Sequence, residues 1–198
     1  MRSAFRPLRS QFVFPTVRWA IGAANRARDD FRIVHFSVQM DHVHLLVEAA
    51  DKLALSSGMR GLAVRIARAV NALVVRRGRV WADRWHGRSL QSPRATRNAL
   101  RYVLGNFRKH HPRMRASIDA FSSAPYFKGF REYRGRMAIE VDGALVPRSV
   151  GPPDPGTVRA PRTWLLSAGW RARGGFLSVD EAPSSQSAKT GRSGTRSG

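Results

Sequence analysis

Between Pro15 and Asp30 the apolar residues Val17, Ala20, Ile21 and Ala24 fall on one face of a 3.6-residue repeat. The stretch PTVRWAIGAANRARDD therefore predicts a helix, with Thr16 placed to cap it. The period then changes to two. FRIVHFSVQ sets Val34, Phe36 and Val38 at alternate positions, and a second apolar run, HVHLLVEA, follows a short polar turn at Gln39–Asp41. Two such runs around a short turn predict an antiparallel hairpin. The longest helical pattern covers residues 53–78, where Met59, Leu62, Ile66, Val70, Leu73 and Val74 recur at three- and four-residue steps and Gly78 is the expected terminator. RVWADRWHGRSLQS reads as a strand or extended segment. Ser92-Pro93 then opens a further helix, with Ser at the cap and Pro in the first turn, and PRATRNALRYVLGNFRKHH continues it to Pro112.

The order helix, strand, strand, helix, strand, helix predicts a compact α+β sandwich, one antiparallel sheet with helices on one face. After Pro112 the periodic signal fades. FSSAPYFKGF reads as an ordered loop, residues 143–162 have the Gly, Pro and Arg content of a linker, and PRTWLLSAGWRARGGFLSVDEAP regains enough apolar content for a short docking helix. SSQSAKTGRSGTRSG reads as a disordered basic tail. The predicted organisation is a core over residues 1–112, an extension over 113–182 and a tail over 183–198.

Charge changes the picture most. Lys+Arg number 35 against 13 Asp+Glu in 198 residues, a net +22, and the sequence pI is about 11.9. A hydrophobic fraction of 42% still supports a real core. An excess of this size predicts a polyanionic partner, nucleic acid first, with a ribosome-like or membrane-surface protein as the plainer reading. One face of the 53–78 helix carries Arg60, Arg65, Arg68, Arg76 and Arg77, with no acid between Lys52 and Asp83. It is either a nucleic-acid contact or a solvated face. Arg84, Trp85, His86 and Arg88 combine a base-stacking ring with phosphate-binding cations. The chain has no cysteine, which excludes disulfides, thiolate zinc sites and cysteine nucleophiles. It has no G-x-x-x-x-G-K-[ST] phosphate loop, no signal-peptide pattern and no apolar run long enough for a membrane helix, so a cytoplasmic protein without ATP chemistry is expected.

Candidate chemistry centres on QMDHVHLLV. On a strand, His42, His44, Leu46 and Glu48 share one face while Val43, Leu45 and Val47 share the core face. Two imidazoles at this spacing can chelate one divalent ion, or can be two half-exposed histidines. Tyr102 and Asn106 lie one turn apart on a single helical face beside the stripe Ala99, Val103 and Phe107, and could be presented to the histidines or be a core-edge aromatic and a solvated amide. His110 and His111 suit a helix C-terminus, where cations complement the dipole.

MDHVHLLVEA, the basic helix after it, VWADRWHGRSLQSPRATRNALRYVLGNFRKH, and the later PYFKGF and PRTWLLSAGW together resemble the REP-associated tyrosine transposases, a group within the HUH (His-hydrophobic-His) single-tyrosine transposases. The likeness spans roughly residues 15–182. It implies a ferredoxin-like HUH sandwich, with His42 and His44 as ligands of Mg²⁺ or Mn²⁺ and Asn106 as a third, polar ligand. It makes Tyr102 the nucleophile of a transesterification on single-stranded or hairpin DNA, through a 5′-phosphotyrosine. Phe107 stands where the family's Tyr-Ile-x-x-Asn-Pro signature has proline. Family members also begin with an interior strand, whereas MRSAFRPLRSQFVF does not alternate. The first strand is therefore expected to be missing, with unpaired sheet edges that invite dimerisation. A catalytically inactive nucleic-acid-binding relative and a basic RNA-binding module remain as alternatives.

Overall fold

In the computed structural model of the chain the described residues are 7–106, 117–132, 136–141, 144–149 and 156–181. The expected tail, Phe107, His110 and His111 lie outside them. The elements are α1 (Phe14–Arg26), β1 (Phe31–Val38), β2 (Val43–Ala49), α2 (Lys52–Leu73), α3 (Pro93–Gly105), β3 (Ser117–Asp119), β4 (Arg136–Val141), β5 (Ala144–Ser149) and α4 (Trp164–Ser167), with short 3-10 turns at Ala124–Tyr126 and Gly169–Ala172. This is an α+β architecture: β1 and β2 form the expected antiparallel hairpin, and β3, β4 and β5 form a second sheet.

The hairpin register brings Phe36 opposite Leu45 and Ser37 opposite His44, with a bulge between Ile33 and His35. An extra residue at a bulge resets which face each side chain meets. Val34 consequently joins the core on the α3 side, while Ile33, Phe36 and Val38 join the core with α1 and α2. Simple alternation placed Val34 with Phe36 and Val38, and the bulge separates them. On β2 the alternation is regular: Leu46 faces the α3 side, and Val43, Leu45 and Val47 face α1 and α2.

The helices therefore divide between the two faces of the hairpin instead of gathering on one. α1 buries Val17, Ala20, Ile21 and Ala24, and α2 buries Leu62, Ile66 and Val70, in one core. Gly58 permits the close approach, since a Cβ there would overlap the Phe31 ring. α3 contributes Ala99, Leu100, Val103 and Leu104 to a second core, completed by Phe127, Phe130, Leu166 and Trp170 from the chain beyond it. That downstream chain covers apolar surface that helices on one face alone would leave open.

Three local expectations differ from the structure. α1 begins at Phe14 with Val13 at its cap position and no side-chain cap, so Thr16 lies inside the helix. α2 ends at Leu73, five residues before Gly78, and Val75 takes the left-handed conformation (φ 50°) at the turn-off. Residues 79–92 form no strand; they run as an irregular, largely exposed connection pinned by Trp81, whose Nε1 donates to the Ala63 carbonyl at 2.9 Å. The cap of α3 is as expected, Ser92 Oγ accepting from the Ala95 amide at 3.2 Å.

The outer edge of β1 is occupied. Ile33 donates to Asn25 Oδ1 at 2.7 Å, and its carbonyl accepts from Asn25 Nδ2 and the Arg159 amide. Phe36 donates to Ser123 Oγ and accepts from the Ser123 amide; Val38 donates to the Phe121 carbonyl at 2.8 Å and accepts from Arg9 Nη1 at 2.9 Å. Ser37 and Ser122 form an antiparallel bridge. Backbone groups that a first strand would satisfy are paired here by a buried amide, by Arg9 and by the extension. The outer edge of β2 has no strand partner among the described residues.

Candidate active site

His42 ends the β1–β2 turn and His44 is the second residue of β2, so both project toward the face covered by α3. Tyr102 sits in the last turns of α3, half-buried against the same core. The three side chains meet. His42 Nε2 lies 3.1 Å from His44 Nε2, and Tyr102 Oη lies 3.4 Å from His44 Nε2. The rings stand edge to face, with centroids 4.6 Å apart for the histidine pair and 4.8 Å for His44 and Tyr102. All three come from one chain.

A fourth acid–base group, unmarked by the spacing of the histidines, adjoins them. Asp41 Oδ1 lies 2.7 Å from His42 Nδ1, and this hydrogen bond holds the Asp41 carboxyl below its ordinary range. Nδ1 is then the protonated nitrogen of His42, leaving Nε2 as a bare lone pair. If Tyr102 donates to His44 Nε2, that nitrogen is bare too. Two lone pairs then face each other at 3.1 Å, a repulsive arrangement unless a proton or cation lies between them. Two imidazole nitrogens sharing one ion at about 2.1 Å and a right angle stand about 3.0 Å apart. The donor set therefore fits a divalent ion, although no cluster of three or more His, Cys, Asp or Glu side chains occurs among the described residues.

Asn106 closes α3 as its C-terminal cap residue and is buried, 4% exposed. Among the described residues no hydrogen bond joins it to His42 or His44. Arg84, Trp85, His86 and Arg88 are exposed on the 74–92 connection, where the Trp85 ring folds over Gly87. Arg60 and Arg68 are exposed on α2 and Arg65 is half-buried. Since α2 and α3 pack on opposite faces of the hairpin, the structure does not bring these three arginines to the histidine–tyrosine cluster.

A family model described as Transposase IS200 like matches residues 19–105. Over that segment the chain is similar to the IS200-like transposases. The matched residues run from within α1 to the last residue of α3 and include His42, His44 and Tyr102. No curated protein and no solved structure matches the chain. The parts that pair the β1 edge and cover α3, residues 117–132 and 156–181, lie beyond the transposase match. Among the described residues no helix is long and apolar enough to cross a membrane.

The sequence left two further features unmarked. His35 is buried with Nδ1 3.2 Å from Ser123 Oγ, and burial pushes its pKa down to about 4. Arg9 forms a two-pronged ion pair with the buried Asp119, Nη2 to Oδ1 at 2.7 Å and Nη1 to Oδ2 at 2.9 Å. Neither is within a turn of its partner in sequence, so no local spacing signals them.

Proposed function

We propose that the protein is a DNA transposase of the REP-associated type that nicks and rejoins one DNA strand through a 5′-phosphotyrosine. The observation that carries this reading is the 3.4 Å approach of Tyr102 Oη to a histidine that itself lies 3.1 Å from a second. In-line attack of the phenol oxygen on a DNA phosphate forms the phosphotyrosine and releases a free 3′-hydroxyl. Attack by a second 3′-hydroxyl reverses the linkage, so the ester retains the bond energy and no nucleotide cofactor is needed. His42 and His44, with Asn106, would hold Mg²⁺ or Mn²⁺, which supplies charge neutralisation at the scissile phosphate. The phenol gives up its proton as the phosphotyrosine forms, and His44 Nε2, 3.4 Å away, can take it only when its lone pair does not hold the ion. Asp41 orients His42 by holding its Nδ1 proton.

Because one chain supplies all three groups, the tyrosine acts in its own subunit and a homodimer is not required. Arg84, Trp85, His86 and Arg88, on the connection leading into α3, contact single-stranded or hairpin DNA near the site. Arg60, Arg65 and Arg68 form a more distant basic surface. The core, extension and tail divide near residues 112 and 182, and the protein works beside cytoplasmic DNA.

The test is incubation of the full chain with Mn²⁺ and labelled single-stranded hairpin DNA. A covalent adduct should form, disappear in Tyr102→Phe, and fall by about 10²-fold or more in His42→Ala and His44→Ala. DNA binding without any adduct would leave a non-catalytic relative as the correct description. A preference for RNA over matching DNA would favour the RNA-binding module.

A further inference from the structure

The chain beyond Ala160 touches both elements that carry the proposed site, and it touches each through a carboxylate. At one end Glu48, on the same face of β2 as His42 and His44, accepts three hydrogen bonds. These come from the Arg162 amide at 2.8 Å, the Thr163 amide at 2.9 Å and Thr163 Oγ1 at 2.7 Å. Arg32 on β1 supports the same end, donating to the Ala160 carbonyl at 2.8 Å. At the other end Glu181 meets α3, with Arg97 Nη2 at 2.8 Å from Oε1 and Arg101 Nε at 3.2 Å from Oε2. Arg97 also donates to the Gly175 carbonyl. Between the two ends, Leu166 and Trp170 are buried in the core formed with Leu46 of β2 and Ala99, Leu100 and Val103 of α3.

We infer that residues 162–181 are a brace that sets the separation of Tyr102 from the histidine pair, with Glu48 and Glu181 as positioning residues at its ends. The inference rests on the proposed reaction at Tyr102. The physical reason is leverage. From the hairpin, Val34 and Leu46 enter the core with α3, and Tyr102 lies near the C-terminal end of α3, beside Arg101. A helix seated by few side chains can rock, and a displacement of about 1 Å at a reacting atom can cost on the order of 10²-fold in rate. Two carboxylates tied to one intervening segment remove that freedom without touching substrate. The glutamates lie outside the Tyr102–His44 contact, so DNA affinity should not depend on them.

A strap fixed at two ends has a signature that independent structural contacts lack. Freeing either end releases it, so loss of both ends should be no worse than loss of one, whereas unconnected sites add. Glu48→Ala, Glu181→Ala and the double variant are compared with the full-length wild type in Mn²⁺ and labelled hairpin DNA. Each single variant should slow adduct formation by about 10- to 100-fold with DNA affinity unchanged. The double variant should match the slower single. Nuclear Overhauser contact between the His44 and Tyr102 ring protons, present in the wild type, should be lost in all three. Ile66→Val, in the core on the opposite face, should lower Tm without altering rate or ring contact. Glu→Gln variants keep size and one acceptor and are measured in the same way if an alanine variant does not fold. Multiplicative effects of the two ends, a rate loss with ring contact intact, or no rate loss would overturn the brace. If the wild type forms no adduct, the proposed reaction fails, and the brace stands or falls on the ring contact alone.

Discussion

His35 is neutral in the fold at neutral pH because it is buried beside Ser123 and Phe127, with its pKa pushed down to about 4. In the unfolded chain an imidazole takes up its proton near ~6.5. Above that pH neither state binds the proton and the stability is whole. As pH falls from 6.5 toward 4 the unfolded state alone is protonated, and stability drops by about 1.4 kcal/mol per unit, about 3 kcal/mol in all. His35→Phe should remove this dependence. Urea unfolding at pH 7.5 and pH 5 checks it: a wild-type difference that persists unchanged in the variant would clear His35 of the effect. Burial of this histidine was invisible in the sequence, where FRIVHFSV alternates as though His35 faced out. His35 does lie opposite Phe36, but that face is covered by Phe127 and Ser123 of the downstream chain. His42 and His44, by contrast, were legible because β2 keeps strict alternation and the side opposite Val43, Leu45 and Val47 is set by the pleat. The Tyr102 approach to His44 was legible only through resemblance, since helix spacing fixes a face and not what the face meets.

At the scale of elements, α2 ends in a way its sequence does not favour. The Arg76 amide bonds the Asn71 carbonyl at 2.8 Å and the Val75 amide bonds the Ala72 carbonyl at 3.3 Å, a closing pattern that requires a left-handed residue between them. Valine fills that position at φ 50°, 94% exposed, where a β-branched side chain crowds its own backbone. Val75→Gly should therefore stabilise the protein by about 1 kcal/mol, while Val75→Ala, which keeps a Cβ at the same φ, should gain less. Chemical denaturation of the three proteins decides it; equal or lower stability in the glycine variant would show that Val75 is not strained. The helix was expected to reach Gly78 because Leu73 and Val74 extend the apolar repeat, yet the chain leaves the helix before the glycine. The β4–β5 hairpin is masked in the sequence for the opposite reason. RMAIEV and ALVPRS flank Asp142-Gly143, a strong hairpin signal, but the surrounding Gly, Pro and Arg content resembled a linker.

At the scale of the molecule, the β1–β2 hairpin separates chemistry from much of the charge. His42, His44 and Tyr102 lie on the α3 side, Arg60 and Arg68 on the outward face of α2, and the 74–92 connection passes from one side to the other carrying Arg84 and Arg88. The sequence showed one basic run from Lys52 onward, and only the packing of α2 and α3 on opposite faces divides it. The division makes the two groups of arginines separable by salt. For single strands, log K falls with log salt at a slope of about −0.7 per phosphate neutralised. If Arg84 and Arg88 bind the strand that enters the site, Ala at both should lower the slope by about 1.4 and slow adduct formation at subsaturating DNA. Ala at Arg60 and Arg68 should alter the slope for long substrates and leave it unchanged for a strand too short to pass round the hairpin. Arg65 should matter less than either, because its Nε is buried. Fluorescence anisotropy over a salt series, with a short and a long single strand, measures each slope. Loss of slope on the short strand from the α2 variants would place DNA on the face away from the tyrosine, and the connection could not then be its path to the site.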